Sequence, residues 1–139
     1  MERDNCEHGR QAVIESMETA RELGWTWWVA RSLTDLAVHA LQTGDHEEAE
    51  RCAREFLDIS WGTDNKQEVL YGLAILARAA AIRGDADRAL ALWSSVQAVE
   101  DTPGRFGKFD REEYAAAMPH EPLPAPLPLA KAVALALAS

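Results

Sequence analysis

Apolar residues recur at helical spacing in two segments that lie forty residues apart in the chain. The first segment starts at Leu33 and reads LTDLAVHALQTGDHEEAERCAREF, and the second starts at Leu73 and reads LAILARAAAIRGDADRALALWSSV. In both, Leu, Leu, Ala and Ala stand at positions i, i+3, i+4 and i+7, which lie on one face of an α-helix. A second apolar stripe follows a Gly-Asp pair in each segment. The sequence therefore predicts two antiparallel helix hairpins, over residues 26–59 and 64–101.

Glycine and acidic residues mark the predicted turns. Gly44 is expected to end the first helix of its hairpin in a left-handed conformation, which glycine adopts without steric cost. Asp45 then caps the next helix, and Glu48 three residues later completes a capping box. Asp64 with Gln67 offers the same kind of box at the start of the second hairpin.

The rest of the chain is predicted to pack around the two hairpins. Residues 6–23 carry one apolar stripe and resemble the second helix of a truncated repeat. Residues 102–139 are predicted to form a loop, a short helix from Asp110, a proline-rich linker and a terminal helix. Twenty-five alanines, and no proline before Pro103, favour helix through the first hundred residues. We expect one all-α domain over residues 1–139, with about seven helices.

The pattern LxxLAxxAxxxGDxxxA, from Leu33 to Ala49, resembles the tetratricopeptide repeat. The usual period of that family is about 34 residues, and the extra length here falls in DISWGTDNKQEV, between the hairpins. The longer period is similar to the repeats near the C-terminus of LuxR-type and related large ATPase transcriptional activators of bacteria. The run REEY at residues 111–114 and the ending PLPLAKAVALALAS strengthen this resemblance. It implies a short right-handed solenoid that serves as a scaffold, and it specifies no chemistry.

The resemblance also implies a binding face. In tetratricopeptide-like folds the first helix of each hairpin lines a concave groove, where a protein or peptide partner binds. The side chains that the resemblance implies for this face are Arg31, Thr34, Val38, Leu41, Gln42, Tyr71, Ala74, Arg78 and Ala81.

The chain is acidic, which narrows the choice of partners. Fourteen Lys and Arg residues against twenty-three Asp and Glu residues give a formal net charge of −9 at pH 7. A surface of that sign repels phosphate backbones, so we expect no direct nucleic-acid partner. The apolar runs are too short to cross a bilayer, and the first residues, MERDNCEHGR, do not resemble a secretory signal. We therefore expect a cytoplasmic protein without membrane contact, whose Cys6 and Cys52 remain thiols.

The sequence offers no pattern typical of a catalytic, metal or cofactor site. No GxSxG motif is present, and Cys52 lies on an Ala-Phe stripe where a small core residue is expected. Cys6 and His8 point to different faces of a helix, while His39 and His46 lie on either side of a turn. The acids between residues 45 and 50 complement a helix dipole. We expect no enzyme activity, no metal and no cofactor.

Tryptophans near the start of the first hairpin add a second candidate surface. Trp25 and Trp27 form a candidate self-association patch, since Trp28 is expected in the core and at least one of the other two should be exposed. Two alternatives to partner binding remain open. A homodimer would cover the apolar face at the N-terminal end, and a small-molecule sensor would use a pocket lined by Tyr71, Arg78, His39 and Trp93.

Overall fold

A computed structural model of the chain describes residues 2–98 and 108–138, with side chains for residues 9–98 and 112–138. Seven helices and no strand lie within these ranges, so the predicted all-α class is confirmed. Their bounds are α1 Glu2–Leu23, α2 Thr26–Thr43, α3 His46–Gly62, α4 Lys66–Arg83, α5 Ala86–Gln97, α6 Lys108–Ala116 and α7 Leu129–Leu137.

The first five helices pack in sequence, each against the next. Turns of two or three residues separate them, and such short connections make neighbouring helices antiparallel. Because α2 also contacts α4, the first helices of the two hairpins lie side by side. Alanines at equivalent positions of the two hairpins, such as Ala37 and Ala77, are fully buried. Their small side chains let the helices approach closely, as the apolar stripes predicted.

Three of the four turns have the same geometry. Gly24, Gly44 and Gly84 end their helices with φ of 75°, 78° and 90°, in the left-handed region that favours glycine. At the second turn, the Asp45 side chain accepts a hydrogen bond from the Glu48 amide at 3.2 Å, as predicted. The Glu48 carboxylate does not close the capping box, because it pairs with arginine side chains of α1 and α3 instead.

The α3–α4 turn corrects the sequence prediction. Helix α3 continues to Gly62, beyond the predicted end of its hairpin at residue 59. Asp64 does not cap α4; it takes the left-handed place that glycine holds elsewhere, with φ of 56°. Asn65 caps α4 by accepting from the Glu68 amide at 3.2 Å. The DNKQE run satisfies the capping pattern at two adjacent registers, and Asp tolerates the left-handed conformation, so the pattern could not separate them.

The C-terminal region folds back onto the hairpins. Helix α6 begins at Lys108, two residues before the predicted start at Asp110, and the rest of the predicted loop lies outside the described residues. Helix α7 packs against α3, α4 and α5 and buries Ala132, Val133 and Ala136.

Two hydrogen-bonded contacts hold α7 in place. The Arg88 guanidinium donates to the carbonyls of Ala136 and Ala138 at 3.1 and 3.2 Å, which satisfies acceptors at the end of the helix. Before the helix, the Leu127 amide donates to the Ser95 hydroxyl at 3.2 Å. The terminal helix is thus part of the packed structure.

Candidate functional site

A cavity of about 230 Å³ opens on the face shared by α2 and α4, which we call the α2–α4 face. Three residues predicted for the binding face, Arg31, Thr34 and Tyr71, lie together in its wall. The full lining is Trp27, Arg31, Thr34, Phe56, Glu68 and Tyr71. Phe56 and Glu68 were not among the predicted residues.

Arg31 and Tyr71 occupy equivalent positions of the forty-residue repeat, which explains why they meet. Adjacent first helices present equivalent positions side by side, so a position at one cavity wall recurs at the other. Phe56 packs edge-on against Tyr71 with ring centroids 6.2 Å apart, and Trp27 packs edge-on against Trp28 at 5.3 Å. These contacts hold two aromatic side chains at the cavity.

The Arg31 guanidinium lies between this cavity and a smaller one on the α1 side of α2, and it lines both. Arg31 is exposed and forms no ion pair or side-chain hydrogen bond with any residue whose side chain the structure describes. A guanidinium presents five donors in a planar fork that matches a carboxylate. The cavity therefore combines aromatic walls with a cation that is available to a ligand.

Arg78 was predicted for the same face, but its side chain contacts α6. The guanidinium lies 3.5 Å from the Glu113 carboxylate and 5.1 Å from the ring centroid of Tyr114. Tyr114 is itself buried and stacks on Trp93 with centroids 6.4 Å apart. Burial raises the pKa of the Tyr114 hydroxyl well above its usual value. Helix α6 thus covers the Arg78 end of the α2–α4 face.

The remaining predicted face residues do not line the cavity. Leu41 and Ala74 are buried in the core instead, and Ala81 is half-buried. Val38 is half-buried and Gln42 is exposed, both further along α2. The physical reason is length: the cavity extends over about two turns of α2, from Trp27 to Thr34, and both residues lie beyond it.

Trp25 and Trp27, the candidate self-association patch, are both exposed, at 51% and 65% of their surface. Only Trp27 lines the α2–α4 cavity. Trp28 is half-buried, and its indole NH donates to the Ser16 hydroxyl at 2.7 Å, which ties α2 to α1.

Two further cavities, of about 180 and 300 Å³, follow the groove between α1 and α2. Val13 and Asp35 line both of them. His39 lies in the wall of the larger one, whereas Trp93 is buried on α5 beneath Tyr114. Arg78 and Trp93 both contact Tyr114, whereas His39 lines a separate cavity, so the four residues considered for a small-molecule pocket do not share one site.

The residues with reactive side chains are kept apart in the described structure. No group of three or more His, Cys, Asp or Glu side chains among the described residues is arranged to hold a metal ion. Cys52 is a buried free thiol, and burial raises its pKa, which disfavours the nucleophilic thiolate. Side-chain placement at Cys6 and His8 lies outside the described residues.

Cys52 provides a test of this burial. We expect its thiol to resist a disulfide reagent such as DTNB at pH 8 in the folded protein and to react promptly in 6 M guanidinium chloride. The measurement is the absorbance of the released thiolate over time, in a Cys6→Ser variant that leaves Cys52 as the only cysteine. Rapid reaction of Cys52 in the native protein would contradict its buried position.

No protein-family model matches the chain, and no curated protein or solved structure matches it either. Within the described residues, the helices are too short or too polar to span a lipid bilayer.

Proposed function

We propose that this chain is a non-catalytic, tetratricopeptide-like module that binds a protein or peptide segment on its α2–α4 face. The observation that carries the proposal is the Arg31 guanidinium, which pairs with no side chain that the structure describes, in a cavity with Trp27 and Tyr71. In line with the resemblance to bacterial transcriptional activators, the module has a regulatory or sensor role and lies in the cytoplasm.

The chemistry of the cavity supports a peptide ligand. Aromatic and arginine side chains contribute most of the binding energy at protein interfaces, and the cavity contains both. A carboxylate of the ligand pairs with Arg31, while apolar ligand atoms cover the rings of Trp27 and Tyr71. The cavity admits one or two side chains, so the ligand extends along the face beyond it.

Reversing the charge of Arg31 tests the proposal. Peptides selected from a phage-displayed random dodecamer library on the wild-type chain are expected to lose about tenfold or more in affinity for Arg31→Glu, since the charge-assisted contact is replaced by repulsion. Fluorescence anisotropy of the labelled peptides measures the change. Arg51→Glu, on the exposed side of α3, is the matched control with the same change in net charge.

One result would count against this assignment. Equal affinity of Arg31→Glu and Arg51→Glu for the selected peptides would remove Arg31 from the site. Circular dichroism of both variants must match the wild type, so that a lost fold is not mistaken for a lost contact.

A homodimer is the second candidate function, because cavities run along the α1–α2 groove. Helix α2 packs against both α3 and α4 and so fills the groove between them. The equivalent groove one repeat earlier, between α1 and α2, holds cavities instead. A second copy of the chain would supply the covering surface. Native mass spectrometry separates the candidates: a dimer favours this one, a bare monomer favours peptide binding, and unexplained added mass favours a small-molecule ligand.

A further inference from the structure

A second surface lies at one edge of the packed helices α1 to α4. Helices α1 and α3 end at this edge, and α2 and α4 begin there. Antiparallel packing brings these four helix ends to one edge, opposite the Gly44 and Gly84 turns. Large apolar side chains are exposed here: Leu23 at 56%, Trp25 at 51% and Trp61 at 42%. We call residues 18–26 and 55–66 the tryptophan edge.

A cavity of about 400 Å³ opens within the tryptophan edge. Buried Ala20 and Val29 line it together with the half-buried Ile59. Charged side chains also line it, among them Glu55 and Asp58 of α3. The cavity can therefore hold an aliphatic stem whose charged head remains near carboxylates.

The charge of this edge is strongly one-sided. Residues 18–26 and 55–66 contain five carboxylates, Glu18, Glu22, Glu55, Asp58 and Asp64, and two cations, Arg21 and Lys66. One carboxylate is neutralised locally, since Arg21 lies 2.5 Å from Glu55. The Asp58 carboxylate is exposed and forms no ion pair or hydrogen bond with the described side chains. The cavity thus exposes one unneutralised carboxylate beside apolar walls.

We propose that the tryptophan edge binds a cationic, apolar peptide segment of another protein. A Lys or Arg side chain of the partner enters the cavity with its stem against Val29 and Ile59 and its charged group beside Asp58. Apolar partner residues cover Trp25, Trp61 and Leu23, and further cations interact with the exposed indole faces. The segment matches the edge in both polarity and charge.

The negative charge of the tryptophan edge favours a basic peptide segment over two other possible occupants, a second copy of the chain and an anionic lipid surface. A second copy of the chain would bring two acidic edges together, and like charges oppose that contact. Anionic lipid headgroups are repelled by the same carboxylates. A basic segment alone gains from the apolar surface and the charge together.

This site differs from the α2–α4 face in the charge that it recognises. In the α2–α4 cavity, which Glu68 also lines, the Arg31 cation pairs with no described side chain, whereas at the tryptophan edge, where Arg21 pairs with Glu55, the Asp58 carboxylate does not pair with one. The inference therefore goes beyond the proposed function, and each site is tested without the other. Arg31→Glu is expected to leave binding at the tryptophan edge intact.

Two pools of immobilised synthetic dodecapeptides test the proposal on the full chain. Both pools carry Leu, Ile and Phe at randomised positions, and the remaining positions hold Lys and Arg in one pool and Asp and Glu in the other. The wild type is expected to be retained about tenfold more strongly by the basic pool. Equal retention by the two pools would overturn the proposal.

Matched variants separate a local site from the overall acidity of the protein. Asp58→Lys is expected to lower retention by the basic pool about fivefold more than Glu121→Lys, which makes the same change in charge at an exposed position outside the edge. Likewise, Trp25→Ser with Trp61→Ser should lower retention, while Ile82→Ser, at the opposite edge, should not. If each variant and its control lowered retention equally, retention would reflect the net charge of the protein and not the tryptophan edge. That result would overturn the proposal.

Two further readouts decide between occupants. A dimer in native mass spectrometry that becomes a monomer in the Trp25→Ser/Trp61→Ser variant would assign the edge to a second copy and overturn the proposal. Co-sedimentation of the wild type with phosphatidylcholine–phosphatidylglycerol vesicles, lost in the same variant, would assign it to lipid and overturn it equally. Circular dichroism confirms the fold of every variant.

Discussion

Trp93→Ala is expected to lower the free energy of unfolding by about 3–5 kcal/mol. Trp93 is 2% exposed on α5 and stacks on Tyr114 of α6, so its removal leaves a large cavity between two helices. Such a loss is a large fraction of the about 5–15 kcal/mol that stabilises a typical domain. Urea unfolding followed by circular dichroism at 222 nm measures it, as a lower midpoint at an unchanged slope.

Trp27→Ala is the control for this prediction. The same side chain is removed, but Trp27 is 65% exposed, so the expected change is about 0.5–1 kcal/mol. Equal losses in the two variants would contradict the buried position of Trp93. A changed slope for Trp93→Ala would indicate that α6 already detaches before the main transition.

The helical hairpins could be predicted because their signals are local. The stripes that start at Leu33 and Leu73 set which helix faces are buried, and the glycines at residues 44 and 84 set the turns. Each of these signals depends on residues within a few positions along the chain. The cap at the α3–α4 turn was predicted one residue too early, because Asp64 and Asn65 both satisfy the capping pattern.

The C-terminal helices could be predicted as elements, but not their positions. A nine-residue helix such as α7 has no strong local preference for one groove, and its place depends on α3, α4 and α5 together. Arg88 holds the end of α7 from 48 residues away in the sequence, at Ala136. No pattern in the chain reports such a contact.

At the candidate sites too, local signals could be predicted from the sequence and long-range contacts could not. The repeat placed Arg31 beside Tyr71, because equivalent positions on adjacent helices meet. It could not exclude Arg78, whose pairing with α6 is a long-range contact. Asp58 and Trp61 were missed because their segment was assigned to the end of a hairpin and its linker, although α3 runs on to Gly62.

The two C-terminal helices cover part of the surface of the hairpins. Helix α6 covers the α2–α4 face at Arg78, and α7 covers a surface of α3, α4 and α5. The surfaces proposed for binding lie toward the other end of the array, at Arg31 and at Trp25. The C-terminal region therefore leaves exposed the two surfaces that we propose for binding.

Val133→Asp is expected to release α7 and to lower the free energy of unfolding by about 3 kcal/mol. Val133 is buried on the side of α7 that packs against the other helices, so a carboxylate there loses its hydration without gaining a partner. Hydrogen exchange followed by mass spectrometry should show lost protection over residues 129–137. Protection in α2, α3 and α4 should persist, since their mutual contacts do not depend on α7.

Lys131→Asp is the matched control on the same helix. Lys131 is exposed, so an aspartate there stays hydrated and should leave both the exchange of α7 and the unfolding midpoint nearly unchanged. Protection of residues 129–137 in Val133→Asp equal to the wild type would refute the packing of α7. Loss of protection throughout the chain would instead show that α7 is required for the hairpins to fold, because the array would then depend on closure at its C-terminal end.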